Sequence, residues 1–174
     1  MIPFHKAFKL TLEHEGLFTN NPKDPGNWTG GLVGSGELKG TKYGISAKSY
    51  PHIDIFNLTE QEAKVIYKRD YWDACQLNDY SPAISIIWFD AILNHGRRNA
   101  NKIMQRSVFV KDDGIVGRIT RAAIRGSDEN RVILNFLANR LHFYTILGDF
   151  DEFGRGWSRR VVTQLKMVAN DELV

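Results

Sequence analysis

Near the start of the chain, Phe4, Phe8, Thr11 and Leu12 recur at helical spacing, and Gly16 stands where a helix would be capped. At about 100° per residue, Glu15 lies roughly 20° from Phe4, inside this apolar stripe, while Glu13 lies on the opposite, polar side. The pattern then breaks. Between Gly26 and Gly44 there are seven glycines, with Pro22 and Pro25 just ahead and Leu32, Val33, Leu38, Tyr43 and Ile45 scattered among turns. This predicts short strands and tight turns, a small hairpin or sheet.

Helical periodicity then resumes. Thr59 and Glu62 have the spacing of a capping box, followed by Ala63, Ile66 and Tyr67 on one side. Ser81 is placed as an N-cap, Pro82 as the first helical residue and Gly96 as the stop of a segment apolar almost all round, which predicts a central buried helix. Beyond it come "RNANKIMQRSV", a turn at "KDDGIVG", "RITRAAI", an amphipathic helix from Asp128 to Leu147, and a last helix beginning around Trp157. Trp72, Trp88 and Trp157 sit in helical patterns and are expected in the core. The fold class is mainly α (α+β). With no linker, repeat or low-complexity run, residues 1–174 are expected to form one domain, with 97–174 not folding independently of 1–96.

Composition narrows the function classes. An apolar fraction of 43% and a charged fraction of 25% are ordinary for a globular chain. The lone Cys75 excludes an internal disulfide, and the five histidines show no paired ligand spacing, so neither a metal nor a cofactor is expected. The N-terminus lacks the apolar core of a signal peptide, and no apolar run is long enough to span a bilayer. The expectation is synthesis in the cytoplasm without stable membrane insertion.

The glycine-rich stretch "GGLVGSGELKGTK" lacks the spacing of a phosphate-binding loop. Residues 1–87 carry a net charge of −1 and residues 88–174 a net +4, with eleven arginines in the second half. Two readings fit this excess: a face for an anionic polymer, or a set of solvated helix surfaces. Nucleic acid is not expected, because no recognition motif is present and the aromatics are not interleaved with the basic residues.

Glu15 is the first candidate for chemistry. A carboxyl carried on an apolar stripe loses solvation, which raises its pKa and suits it to act as a general acid near neutral pH. A frayed helix end or a buried arginine partner would remove that role.

"EHEGLFTNNPKDPGNWTGG" followed by "GTKYGIS" resembles the N-terminal signature of glycoside hydrolase family 108, the N-acetylmuramidases of phages and bacteria. "MQRSVFVKDDGIVGRITRAAI" and "FGRGWSRRV" resemble the predicted peptidoglycan-binding region that accompanies it. The resemblance implies a lysozyme-like fold and hydrolysis of the β-1,4 bond between N-acetylmuramic acid and N-acetylglucosamine. The family's catalytic glutamate corresponds to Glu15, the aspartate of its Asp-Pro-Gly element to Asp24, and the threonine ahead of Tyr-Gly-Ile to Thr41. Leu17 and Phe18 stand where the family motif has glycine and tyrosine.

Glycoside cleavage needs an acid for the leaving oxygen and usually a second carboxylate that activates water or stabilises the oxocarbenium-like centre. Glu15 would be the acid and Asp24 the base or stabiliser, with Thr41, or secondarily Thr29, positioning the water. Asp24 in "KDPG" is equally a turn residue bonding its own backbone, and Thr41 equally a strand hydroxyl with a cross-strand partner. Trp28 and Tyr43 flank the expected cleft as sugar platforms, or plug a small sheet.

The implied protein is a phage or prophage endolysin, expected to be a monomer, acting on peptidoglycan in the periplasm after release by a holin. A lytic transglycosylase, which needs one glutamate and no water, and a non-catalytic wall-binding module are the competing readings.

Overall fold

The computed structural model describes residues 3–12 and 18–173, with only the backbone of Leu12. Two compact units result, Met1–Ala74 and Cys75–Val174.

The first unit opens with α1 (Pro3–Leu12). Its stripe is buried as the spacing requires: Phe4, Ala7, Phe8 and Thr11 are all under 5% exposed, and the Thr11 hydroxyl donates to the Ala7 carbonyl. Phe4 packs edge-on to Trp72 and Phe8 edge-on to Tyr67. Both partners come from the far end of the unit. There α2 (Glu60–Tyr67) starts at a complete capping box, with the Thr59 hydroxyl accepting from the Glu62 amide and the Glu62 carboxylate accepting from the Thr59 amide. A cap of this kind contributes about 1 kcal/mol. The helix widens into a π-helical turn, Lys68–Asp73, that carries Trp72 fully inward.

Between these helices lies the glycine-rich region, with a two-stranded antiparallel sheet, β1 (Thr41–Lys42) and β2 (Ile45–Ser46), pairing Thr41 with Ser46 and Lys42 with Ile45. Tyr43 and Gly44 connect the strands at φ of 51° and 71°, the left-handed pair of a tight hairpin whose twist matches its strands. The strands are shorter than the residue pattern suggests; most of the region is held by turns and two isolated bridges, Thr19 to Thr41 and Trp28 to Leu38.

The second unit is built on α3 (Pro82–Ser107), α4 (Arg118–Gly126), α5 (Glu129–Thr145) and α6 (Phe150–Ala169). The expected stop at Gly96 is present as a break inside α3: Gly96 has φ 73° and ψ 153°, and helix resumes beyond it. The apolar first half of α3 is buried from Ala83 to Phe89 and packs on α5. Ser81 holds the N-cap position, although its hydroxyl makes no capping bond.

The last helix starts at Phe150, seven residues before Trp157. Gly154 leaves room for the Phe150 ring on this added turn, since a Cβ there would come within 2.7 Å of it. The sequence pattern hides this turn because two glycines and three charges interrupt it. Trp72 and Trp88 are in the core as expected, whereas Trp157 is half-buried and stacks on Tyr144 with ring centroids 5.1 Å apart.

A buried polar cluster ties α3, α5 and α6 together. Arg140, fully buried, reaches Asp90 at 2.5 Å, the His95 Nε2 at 3.0 Å and the Gln164 Oε1 at 2.8 Å. Arg160 approaches Asp90 from the other side at 3.0 Å. The two guanidinium groups overcome the burial penalty and hold the Asp90 carboxyl below its ordinary range. Burial, helped by Arg140, pushes the His95 imidazole down to about 3, so it stays neutral and accepts from Arg140. Arg160 is therefore committed inside the unit, and Arg121 and Arg125 both pair with Asp79. Part of the arginine excess holds the fold together.

Candidate active site

Glu15 lies outside the described residues. The other candidates lie in the first unit, three of them, Asp24, Trp28 and Thr41, about one hydrogen-bonded fabric. The chain enters it at Thr19, which exchanges both backbone hydrogen bonds with Thr41 at 2.9 and 2.8 Å. It then turns through Asp24-Pro25-Gly26-Asn27, a single 3₁₀ turn. Asp24 caps that turn, its Oδ1 accepting from the Gly26 amide at 2.8 Å, while the carboxylate stays exposed to solvent. The turn chemistry expected of "KDPG" is thus present, and it leaves the second carboxylate oxygen with no hydrogen-bond partner among the described residues.

Asn27 is the centre of the fabric and is fully buried. Its carbonyl accepts from the amides of Lys39 and Gly40, both at 3.0 Å. Its side-chain amide donates to the Asn21 carbonyl at 3.1 Å, and its Oδ1 accepts the Thr41 hydroxyl at 2.7 Å. The Asn27 amide in turn donates to the Asp24 carbonyl at 3.2 Å. Asp24 and Thr41, seventeen positions apart in sequence, are joined through this one residue. With its proton given to Asn27, the Thr41 oxygen retains lone pairs that can accept a hydrogen bond from water. Asn27 is not distinguishable by sequence reasoning, since an asparagine after Asp-Pro-Gly reads as a further turn residue. Gly40 completes the close approach: at φ 84° a Cβ would lie 2.5 Å from the Thr19 carbonyl oxygen.

Thr29 has a different task. Its amide donates to the Glu37 carbonyl and its hydroxyl accepts from the Glu37 amide at 2.8 Å, closing the loop between them. Trp28 lies opposite Leu38, and its indole N–H donates to the Pro22 carbonyl at 2.9 Å, which fixes the half-buried ring. Tyr43 sits at the hairpin turn under the Lys42 ammonium, 5.5 Å from the ring centroid, and its carbonyl accepts from the Tyr67 hydroxyl. The structure thus brings Asp24, Trp28 and Thr41 onto the Asn27 fabric and puts Tyr43 at the tip of the β1–β2 hairpin. Among the described residues no group of three or more His, Cys, Asp or Glu side chains could hold a metal ion, and no helix is long and apolar enough to cross a membrane.

The sequence model of Glycosyl hydrolase 108 matches residues 8–96, which include every candidate above. Among solved structures, that of Brucella abortus SagA superimposes with a TM-score of 0.76 at 28% sequence identity, covering 95% of this chain and 94% of that one. The helical architecture with its small two-stranded sheet is a lysozyme-like fold. No curated protein sequence matches the chain.

Proposed function

Because the chain belongs to glycosyl hydrolase family 108, and is thereby a glycoside hydrolase, we propose that it is an N-acetylmuramidase. It cleaves the β-1,4 bond between N-acetylmuramic acid and N-acetylglucosamine in peptidoglycan. Glu15 protonates the leaving glycosidic oxygen. Asp24 activates water or stabilises the oxocarbenium-like centre, and Thr41 orients the water. The observation that carries this reading is the Asn27 bridge. It supports an exposed Asp24 carboxylate and a Thr41 hydroxyl on one rigid fabric, and rigid support is what a group acting on a transient charge requires. The same reading makes the protein a lysin that attacks the wall once a holin has opened the membrane.

Digestion of purified peptidoglycan, with product ends identified by mass spectrometry, tests the proposal. New reducing N-acetylmuramic acid ends are expected, and Glu15→Gln should lower their rate by roughly two to four powers of ten. Anhydro-muramic ends would transfer the assignment to a lytic transglycosylase. Wall binding without cleavage by the unaltered protein would reduce it to a binding module.

A further inference from the structure

A second feature of the first unit lies beyond the candidate catalytic residues: a hollow of about 590 Å³ lined by Phe18, Asn20, Leu38, His52, Ile55 and Phe56 together with the charged Lys39 and Asp54. That volume is within the range of small-molecule sites, roughly 300–1,000 Å³. We propose that it is a saccharide subsite, holding one N-acetylhexosamine unit of the glycan beyond the two sugars that flank the scissile bond. The proposal rests on the glycosidase reading above.

Phe56 is the principal reason. It is 65% exposed, yet its position is fixed. Ile55 beside it is 1% exposed and anchors the segment, and the Lys42 ammonium donates to the Phe56 carbonyl at 2.8 Å. The Asp54 carboxylate accepts from both the amide and the side chain of Asn57. Phe18 meets the Phe56 ring edge-on, with centroids 5.2 Å apart and planes at 87°. An aromatic face held rigidly in water is a platform for the C–H face of a pyranose ring.

Hydrogen-bonding groups complete the site. Asn20 and His52 line the same hollow, and neither side chain has a hydrogen-bond partner among the described residues, so an amide and an imidazole remain for hydroxyl or acetamido groups. The two charged side chains of the lining are already engaged: Lys39 with the Pro51 carbonyl and Glu37, Asp54 with Asn57. An anionic ligand would require unpaired cations; an uncharged polyol ring matches an aromatic platform whose bordering charges are already paired and whose free groups are the neutral Asn20 and His52.

The hollow adjoins the backbone segments that carry the candidate residues. Phe18 and Asn20 flank Thr19, the backbone partner of Thr41, and Leu38 is the cross-strand partner of Trp28. Directly opposite residues share a face of a sheet, so a glycan passing Trp28 arrives at Leu38 and the Phe56 ring.

Steady-state kinetics on peptide-free glycan chains of graded length test this, using the full chain and Phe56→Ala, with Asn20→Ala as a second variant should the first fail to fold. Lengthening the substrate should lower KM for the unaltered protein. Phe56→Ala should remove roughly tenfold of that gain, as expected for losing about half of a buried aromatic contact, with the change in KM rather than kcat. Asn20→Ala should remove roughly threefold or more. The same length dependence in wild type and both variants, or an equal loss at every length, overturns the subsite. If wild type cleaves no chain, calorimetric titration with the longest glycan decides separately: weakened binding by Phe56→Ala keeps the subsite while the catalytic assignment falls, and unaltered binding removes both.

Discussion

Replacing Asp90 by asparagine should destabilise the second unit severely, although the side chain keeps its shape. Arg140 is fully buried and its guanidinium cannot shed its proton. Its remaining partners, His95 and Gln164, are both neutral. Asp90 is 14% exposed and contacts Arg140 at 2.5 Å and Arg160 at 3.0 Å, so its negative charge is what compensates the buried cation. Breaking a buried pair from one side typically costs about 3–5 kcal/mol, against a total stability of roughly 5–15 kcal/mol for a native domain. At about 2–4 °C per kcal/mol for a chain of this size, the melting temperature should fall by roughly 6–20 °C. Urea unfolding followed by tryptophan fluorescence gives the comparison, because Trp157 stacks on Tyr144 beside the cluster. Arg160→Gln is the internal control: Arg160 is 26% exposed and its removal leaves Asp90 paired with Arg140, so the loss should be about 1 kcal/mol. Replacing Asp90 and Arg140 together by leucine and methionine should recover most of the stability. A loss below about 1 kcal/mol for Asp90→Asn alone would refute the view that this carboxylate compensates a buried cation.

The same cluster sets an acid sensitivity. Asp90 and His95 both have depressed pKa values in the folded state, so each contributes stability above its unfolded pKa and loses it as pH falls. For His95 the window runs from 6.5 down to about 3, with a slope of up to about 1.4 kcal/mol per pH unit; urea midpoints across it should decline, and less steeply in His95→Gln. Asp24→Asn keeps an oxygen for the Gly26 amide, so it should preserve the melting temperature while lowering hydrolysis by roughly two powers of ten or more. A normal rate would dismiss Asp24. Asn27→Ala orphans the Thr41 hydroxyl and the Asn21 carbonyl and should cost about 1–3 kcal/mol together with much of the activity, measured by calorimetry and wall digestion. A fragment ending at Gly96 loses α5, on which α3 packs, and should be insoluble or molten; a cooperatively folded, lytic fragment would contradict this.

Legibility in the sequence followed the range of the interactions. α1, the capping box at Thr59 and Glu62, and the apolar first half of α3 were legible because their determinants lie within one or two turns of the chain. The turn at Asp24 was legible for the same reason. Asn27 was not, because its importance comes from Thr41 and Gly40, brought near it by folding. Arg160 read as one of the basic residues of the second half's helix surfaces; only the return of α6 to Asp90 makes it internal. The turn of α6 ahead of Trp157 was hidden by its two glycines, of which Gly154 serves packing against Phe150.

The hairpin between Trp28 and Leu38 is closed at its base by the Asn27 contacts and, a little further out, by the bond from the Gly30 amide to the Ser35 carbonyl. Beyond that rung only a tip remains, with Leu32 and Val33 facing solvent at 69% and 59% exposure. The number of residues in the tip is therefore decoupled from the placement of Asp24 and Thr41. Closure entropy rises by only about 0.6 kcal/mol for each doubling of a loop, so this tip is a tolerant insertion point where a peptide with affinity for another surface could be spliced in. An equally long insertion between Asp24 and Asn27 would break the turn that carries the carboxylate.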